Sequence, residues 1–360
     1  MNNPDTSKIS YFPKSQIIIL LLTIVGFIIR FHNLAFQMTN QDEQFTMGFA
    51  SPALSAVQVF WNSLTMDYTP PIYYLCAHFS MMVFGISEFA IRFPSVIFGT
   101  LLIPAMFLIG KEYQDDDLYG LFMAGFATIY YNGYFYSKLG RSYSAVLFFF
   151  SIAFYFFIRC LKGDKHSEIW FGIFAVMAMW SHLYSSIPIG IMTLYLVLVR
   201  GSFTELLPLS IGSIPLAYFY IPLVLDTRVA GTGQNVFGMS SAQILIMTPF
   251  ELFGYSAIPI GLIIAAVLLR KKYDDLIFTI LITVLFTWWS MIVLSFKTPI
   301  ISHYLIVLAP MLILALIYPF WEQAKTGVWK MRYVLALVMI VVLECYQIVL
   351  LNVVQRIGTF

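Results

Sequence analysis

The residues with the clearest chemical potential are an acidic pair, Asp42 and Glu43, in the segment FHNLAFQMTNQDEQFTMGFA. A carboxylate there can serve as a general base when burial and neighbours set its pKa. The pair can also offer oxygen ligands to a divalent cation such as Mg or Mn. A third reading is an acidic cap on the helix that follows, which the helix dipole favours. The local residues leave all three open. Three cations stand out beside it: Arg141 in SKLGRSYS, Arg228 in LDTRVAG and Lys297 in SFKTPIISHYL. Each suits a phosphate group, with arginine able to make a two-pronged fork. Interfacial snorkelling is the alternative for each. His182 and His303 are candidate substrate contacts, and neither lies in an H-E-x-x-H or similar metal spacing. Tyr68, Tyr73 and Tyr74 present rings on which a flat-faced ligand such as a sugar can stack.

The elements that position these residues must be helices in a bilayer. The chain is 60% apolar and 11% charged, with a mean hydropathy of +0.84. A soluble domain of that composition cannot cover its surface. In hydrocarbon only helices and closed barrels satisfy the backbone, and the apolar runs are continuous, not alternating. The fold class is therefore all-α and polytopic. The net charge of +2 is scattered among loops and does not indicate a nucleic-acid partner. Cys76, Cys160 and Cys345 lie in apolar surroundings without C-x-x-C spacing, which predicts three buried thiols, with neither a disulfide nor a zinc site.

A crossing needs about 20 apolar residues. That ruler gives about eleven spans, near 15–34, 88–110, 118–136, 142–161, 168–183, 184–200, 204–224, 249–270, 275–295, 301–320 and 331–352. The first reads as an uncleaved span, because no small-residue cleavage site follows it. Segments 45–64 and 69–85 carry polar residues and prolines, and read as two interfacial helices. With the N-terminus inside, the Arg270–Lys272 cluster falls on the cytoplasmic side; counting 69–85 as a span would invert it. This layout makes residues 1–360 one transmembrane domain. It puts the acidic pair, Asp67, Lys138, Arg141, His182, Asp226, Arg228, Lys297 and His303 on the external face. The external loops are 37–87 and 225–248. Asp115–Asp117, beside Lys111, reads as a solvated cytoplasmic charge run, and Glu344 is the one plausible mid-span charge.

Taken together, TPPIYYLCAHFSMMVFGISEFAIRFPSVIFGTLLIPAMFLIGKEY, YSKLGRSYSAVLFFFSIAFYFFIR and SFKTPIISHYLIVLAPMLILAL resemble the GT-C superfamily of membrane glycosyltransferases. The branch is that of protein O-mannosyltransferases and lipid A aminoarabinose transferases. The resemblance implies transfer of a sugar from a polyprenyl-phosphate donor to an acceptor hydroxyl at the external face of the cell membrane, with inversion. It maps the family base onto Asp42, with Glu43 as partner or metal ligand. Lys297, Arg141 and, by charge and side alone, Arg228 are the implied donor-phosphate contacts. Tyr68, Tyr73, His182, His303 and Tyr304 are the implied substrate contacts, and membrane lipids and a glycan, lipid or protein acceptor the partners. The sequence departs from the family in three places. His303 stands where many relatives have Arg, Thr69 precedes Pro70–Pro71 where a larger polar group is common, and no second acidic residue lies near Ser144. The chain is also short, without the large external C-terminal domain of some members. A transporter or flippase of lipid-linked sugars is the rival reading; it would use the same cavity but calls for internal repeats and mid-membrane charges.

Overall fold

The computed structural model describes residues 12–35, 41–201, 203–204, 206–225, 240–268, 275–295 and 302–357. All secondary structure among them is helical. The central element is α5 (Glu88–Gln114), 27 residues and about 40 Å long, with Ser87 accepting from the Ala90 amide at its N-terminus. Around it pack α1 (Phe12–Phe31), α4 (Ile72–Phe84), α6 (Asp117–Ile129) and α8 (Tyr143–Leu161). Next come α9 (His166–Met179) and α10 (Ser186–Tyr195), the latter running on into a π-helical turn, Leu196–Arg200. Beyond these lie α11 (Leu206–Leu225), α14 (Asp275–Leu294), α15 (Ala309–Thr326) and α16 (Met331–Ile357). Among the described residues, eight helical stretches are long and apolar enough to cross a membrane. The larger expected number came from runs that form shorter helices, among them Asp117–Ile129 and His166–Met179. The chain is a multi-pass membrane protein.

Between α1 and α5 the structure has three short helices where two were expected: α2 (Gln41–Phe49), α3 (Ala56–Thr65) and α4. The run 45–64 is interrupted at Ser51–Pro52, because proline lacks the amide that a helix interior needs. Ser55 and Gln58 then restart the chain as a reciprocal capping box. α4, at 13 residues, is too short to cross.

Two other runs also break. The expected span 118–136 stops at Tyr130 (φ −57°, ψ 112°) and resumes as α7 (Tyr131–Ser137). The polar groups freed there find protein partners, as a break in hydrocarbon requires. Arg30 donates to the carbonyls of Ala127 (2.9 Å) and Thr128 (3.4 Å), and Glu344 accepts from the Tyr131 amide (2.6 Å). The expected span 249–270 begins earlier, as α12 (Ser241–Phe253), capped by Ser240 and Gln243. So the last eight residues of the presumed 225–248 loop are helical. That helix stops at Gly254 (φ +54°), and α13 (Ala257–Leu268) follows a single 3-10 turn.

At the end of the bundle reached by the C-termini of α5 and α8, Lys111–Asp117 (2.8 Å), Arg159–Asp164 (2.5 Å) and Lys162–Glu112 (3.3 Å) form ion pairs. Asp115–Asp117 is thus more than a solvated run. Asp116 caps α6 and accepts from the Trp321 indole, and Asp117 accepts from Ser15. Cys160 is buried as expected, but Cys345 lies on the outward face of α16. The opposite end, where α5 and α8 begin, gathers the site.

Candidate active site

α2 places both acidic residues in its first turn, and its orientation separates them. Glu43 faces inward and is 1% exposed. Its two oxygens accept from Arg92 Nε and Nη2, each at 2.7 Å, and Oε1 also accepts from the Gly140 amide at 2.7 Å. Arg92 itself donates on to the Leu34 carbonyl (2.9 Å). Asp42, one residue earlier, is exposed.

The Lys138–Ser142 turn is tied down from two sides. Ser95 donates to the Leu139 carbonyl (2.6 Å), and Gly140 donates to Glu43. A side chain at position 140 would crowd Ile91 (2.8 Å) and Glu43 Oε1 (3.1 Å), so glycine fits by size. Because Glu43 adjoins Asp42 and Gly140 adjoins Arg141, the buried pair fixes Asp42 and Arg141 relative to one another. Arg141 Nη1 donates to the Tyr74 hydroxyl (2.8 Å) and lies 3.5 Å from the Asp42 carbonyl. The Tyr74 hydroxyl donates to Asp67 Oδ2 (2.5 Å), which is 3.7 Å from Arg141 Nη1. Desolvation opposes the charge on Arg141, but Tyr74, Asp67, Tyr143 and Asp42 outweigh it and raise its pKa above the usual arginine value.

Beyond Arg141 stands an aromatic wall. Tyr143 Oη and His303 Nε2 share a hydrogen bond of 2.9 Å. The His182 ring is 5.0 Å from Tyr304, and Tyr304 stacks on Tyr184 at 4.9 Å. The charge of Arg141 reaches both imidazoles, and that of Asp42 reaches Tyr143 and Tyr304. Desolvation first, then His303 and Arg141, push the His182 pKa down to about 3, so its ring is neutral at ordinary pH. Next to this wall opens an apolar cavity of about 460 Å³, lined by Leu183, Tyr184, Leu216, Ala217, Tyr220 and Leu294 among others.

Asp42, Arg141, His182, His303 and Tyr304 therefore lie at one end of the bundle, near one another. Tyr68 is exposed beside Asp67, with an unusual φ of 53°. Tyr73 is a core residue: it is 1% exposed and its hydroxyl is bonded to Ile91 and Ser95, so it offers no ring to a ligand. Arg228 and Lys297 lie outside the described residues. For a metal at Asp42–Glu43 the fit is poor. Of the pair only Asp42 is open, since Glu43 is engaged by Arg92 and Gly140, and the described residues hold no group of three or more His, Cys, Asp or Glu suited to a metal. Asp67, Tyr143 and Tyr184 are the site residues that sequence reasoning passed over; only the external position of Asp67 hinted at it.

Residues 68–224 match the family described as dolichyl-phosphate-mannose-protein mannosyltransferase. No curated protein matches the chain in sequence. Among solved structures it is similar to ArnT from Cupriavidus metallidurans bound to undecaprenyl phosphate, with a TM-score of 0.58 at 13% identity, over 86% of this chain and 62% of that one. The apo state of the same protein gives 0.57 at 12% identity, over 87% and 63%. The chain has the GT-C fold. It spans under two thirds of the ArnT length. In this chain the start of α5, with the acidic helix α2 against it, lies at the end of the bundle where Arg141 and the aromatic wall meet.

Proposed function

We propose that this GT-C chain is an inverting glycosyltransferase, moving a sugar from a polyprenyl-phosphate donor to an acceptor hydroxyl at the external membrane face. The observation that carries this reading is the juxtaposition of an exposed acid, Asp42, with a guanidinium, Arg141, beside an aromatic wall that borders an apolar cavity. A lipid-linked sugar phosphate has those three parts: a ring face, an anion and a greasy tail. The family matched by residues 68–224, and a structural relative bound to undecaprenyl phosphate, support the same donor class.

In this mechanism Asp42 accepts the proton of the acceptor hydroxyl as its oxygen attacks the anomeric carbon. The bond from that carbon to the phosphate oxygen breaks, and the electron pair leaves with polyprenyl phosphate. Arg141 stabilises the charge growing on the leaving oxygen. Tyr304, Tyr184 and neutral His182 face the sugar. Glu43 acts through Arg92 and Gly140 as a positioning residue and does not touch the reacting atoms. No step passes through a metal.

The test replaces Asp42 by Asn in purified protein, with lipid-linked sugar as donor. Transfer should fall by roughly 10²- to 10⁴-fold, the usual worth of a general base, with folding intact. Full activity in the folded variant sinks the assignment. Release of polyprenyl phosphate by detergent-solubilised protein, where no second compartment exists, separates transfer from transport.

A further inference from the structure

We propose that Asp67 is a positioning counter-ion for Arg141, turning the free edge of the guanidinium to the site and loosening its hold on the leaving phosphate. The proposal rests on the reading of the site just given. The hydrogen bonds and the ion pair that the Arg141 guanidinium makes among the described residues all use one nitrogen, Nη1: the Tyr74 hydroxyl, Asp67 and the Asp42 carbonyl. Its Nε and Nη2 have no partner among those residues, and they form the edge that a phosphate takes in a two-pronged contact. The side chain is 15% exposed, so that edge is reachable.

Asp67 is built into this place. Tyr68, the next residue, is held at φ 53°, a conformation sparsely populated outside glycine. Such a conformation persists where the surroundings fix it. Here the fixing contacts are Tyr74 to Asp67, the Thr69 amide to the Ser63 carbonyl (2.9 Å), and the stiff Pro70–Pro71 pair that follows. The Tyr74 hydroxyl is a relay, accepting from Arg141 and donating to Asp67. A carboxylate 3.7 Å from the guanidinium cancels part of the charge that a phosphate would otherwise feel. Turnover needs that balance, because the leaving group must be stabilised as it forms and then let go.

The experiment measures binding of undecaprenyl phosphate to the full chain in detergent, by tryptophan fluorescence, for wild type, Asp67→Asn, Tyr74→Phe and Arg141→Ala. Asparagine keeps an acceptor for Tyr74 and removes the charge. Asp67→Asn should bind about fivefold tighter, the upper end for a partly exposed ion pair. In transfer assays its KM and kcat should fall together, since product leaves more slowly. With Ala at position 141 the Asp67→Asn change should have no effect on affinity. Affinity equal to or weaker than wild type overturns the proposal, because a merely structural Asp67 would give that result. Tyr74→Phe keeps the Asp67 charge opposite Arg141 and should not tighten binding. If Asp67→Asn does not fold, Asp67→Ser, which also removes the charge, carries the same expected sign. If folded wild type and variant both fail to bind, the polyprenyl-phosphate reading of the site falls, and this proposal with it.

Discussion

The division of labour between Asp42 and Glu43 makes a sharp prediction about the buried pair. Replacing Arg92 by Met takes from Glu43 its two charged bonds of 2.7 Å, at a position 1% exposed. Removing one partner of such a pair costs about 3–5 kcal/mol, because the other charge stays buried. Replacing Glu43 by Gln is milder, since one amide oxygen can still accept, but its NH2 faces Arg92; about 3 kcal/mol is expected. The double variant Glu43→Leu/Arg92→Met removes both charges together. An apolar pair of similar volume is often neutral, so the double loss should be well under the sum of the singles, with coupling of about 2 kcal/mol or more.

The assay is unfolding in mild detergent, paired with transfer kinetics. Glu43→Gln should lose stability and activity together, because the clamp aligns the residues next to it, Asp42 and Arg141. Asp42→Asn should lose activity with its melting temperature unchanged, as expected of an exposed side chain. Suppose instead that Glu43→Gln keeps wild-type stability and loses only kcat. Then Glu43 is the reacting carboxylate, and the roles assigned here are reversed.

Two further outcomes follow from local geometry. Gly254→Ala should be strongly destabilising, because the residue sits at φ +54° and a Cβ would meet Gln347 Oε1 at 1.8 Å; a melting curve within a degree or so of wild type would contradict the break as described. His182, with its pKa pushed down to about 3 by desolvation, His303 and Arg141, stays neutral in the folded protein, while the unfolded chain takes up a proton near 6.5. Stability should therefore decline as pH falls below about 6.5, and kcat/KM should show no step from this ring between about pH 5 and 8. A step near 6.5 that disappears in His182→Gln would show that the imidazole titrates in the site.

The acidic pair and the segments around it were legible because their spacing is local: a short helix after the first span, then PPIYY and the start of α5. What each carboxylate does was not legible. Glu43 meets Arg92 and Gly140, 49 and 97 positions away, and no local pattern distinguishes an inward from an outward acid in one helical turn. Asp67 was hidden for the same reason, since its meaning depends on Arg141 and Tyr74 folding over it. Hydropathy also misread continuity. Run 118–136 is apolar throughout, so it reads as one span, although its break is set by Glu344 and Leu252, 213 and 122 positions from the residues they hold.

That break explains how charged groups inside the bundle serve the site without belonging to it. An ionisable residue at membrane depth is usually read as functional, and Arg30, Glu344 and Lys138 all invite that reading. Arg30 takes the carbonyls at the end of α6, and Glu344 takes the amide that starts α7. Tyr130 and Asn132 in turn satisfy the carbonyls of Leu252 and Glu251 at the end of α12. α7 then packs against α5, α8, α12 and α16, and Lys138 at its end donates to the His32 carbonyl (2.8 Å) just past α1. Desolvation and the nearby Arg92 pull the Lys138 pKa down to about 8, as expected of an amine used for anchoring and held away from a carboxylate. The next residues are Gly140, on Glu43, and Arg141, at the Asp42 carbonyl. A straight helix through 117–137 would have no need of Arg30 or Glu344, and it would not bring residues 138–141 by this path to the acidic helix. The buried polar groups are the structural requirement for bending the chain there, and the bend is what brings Gly140 and Arg141 to the acidic helix.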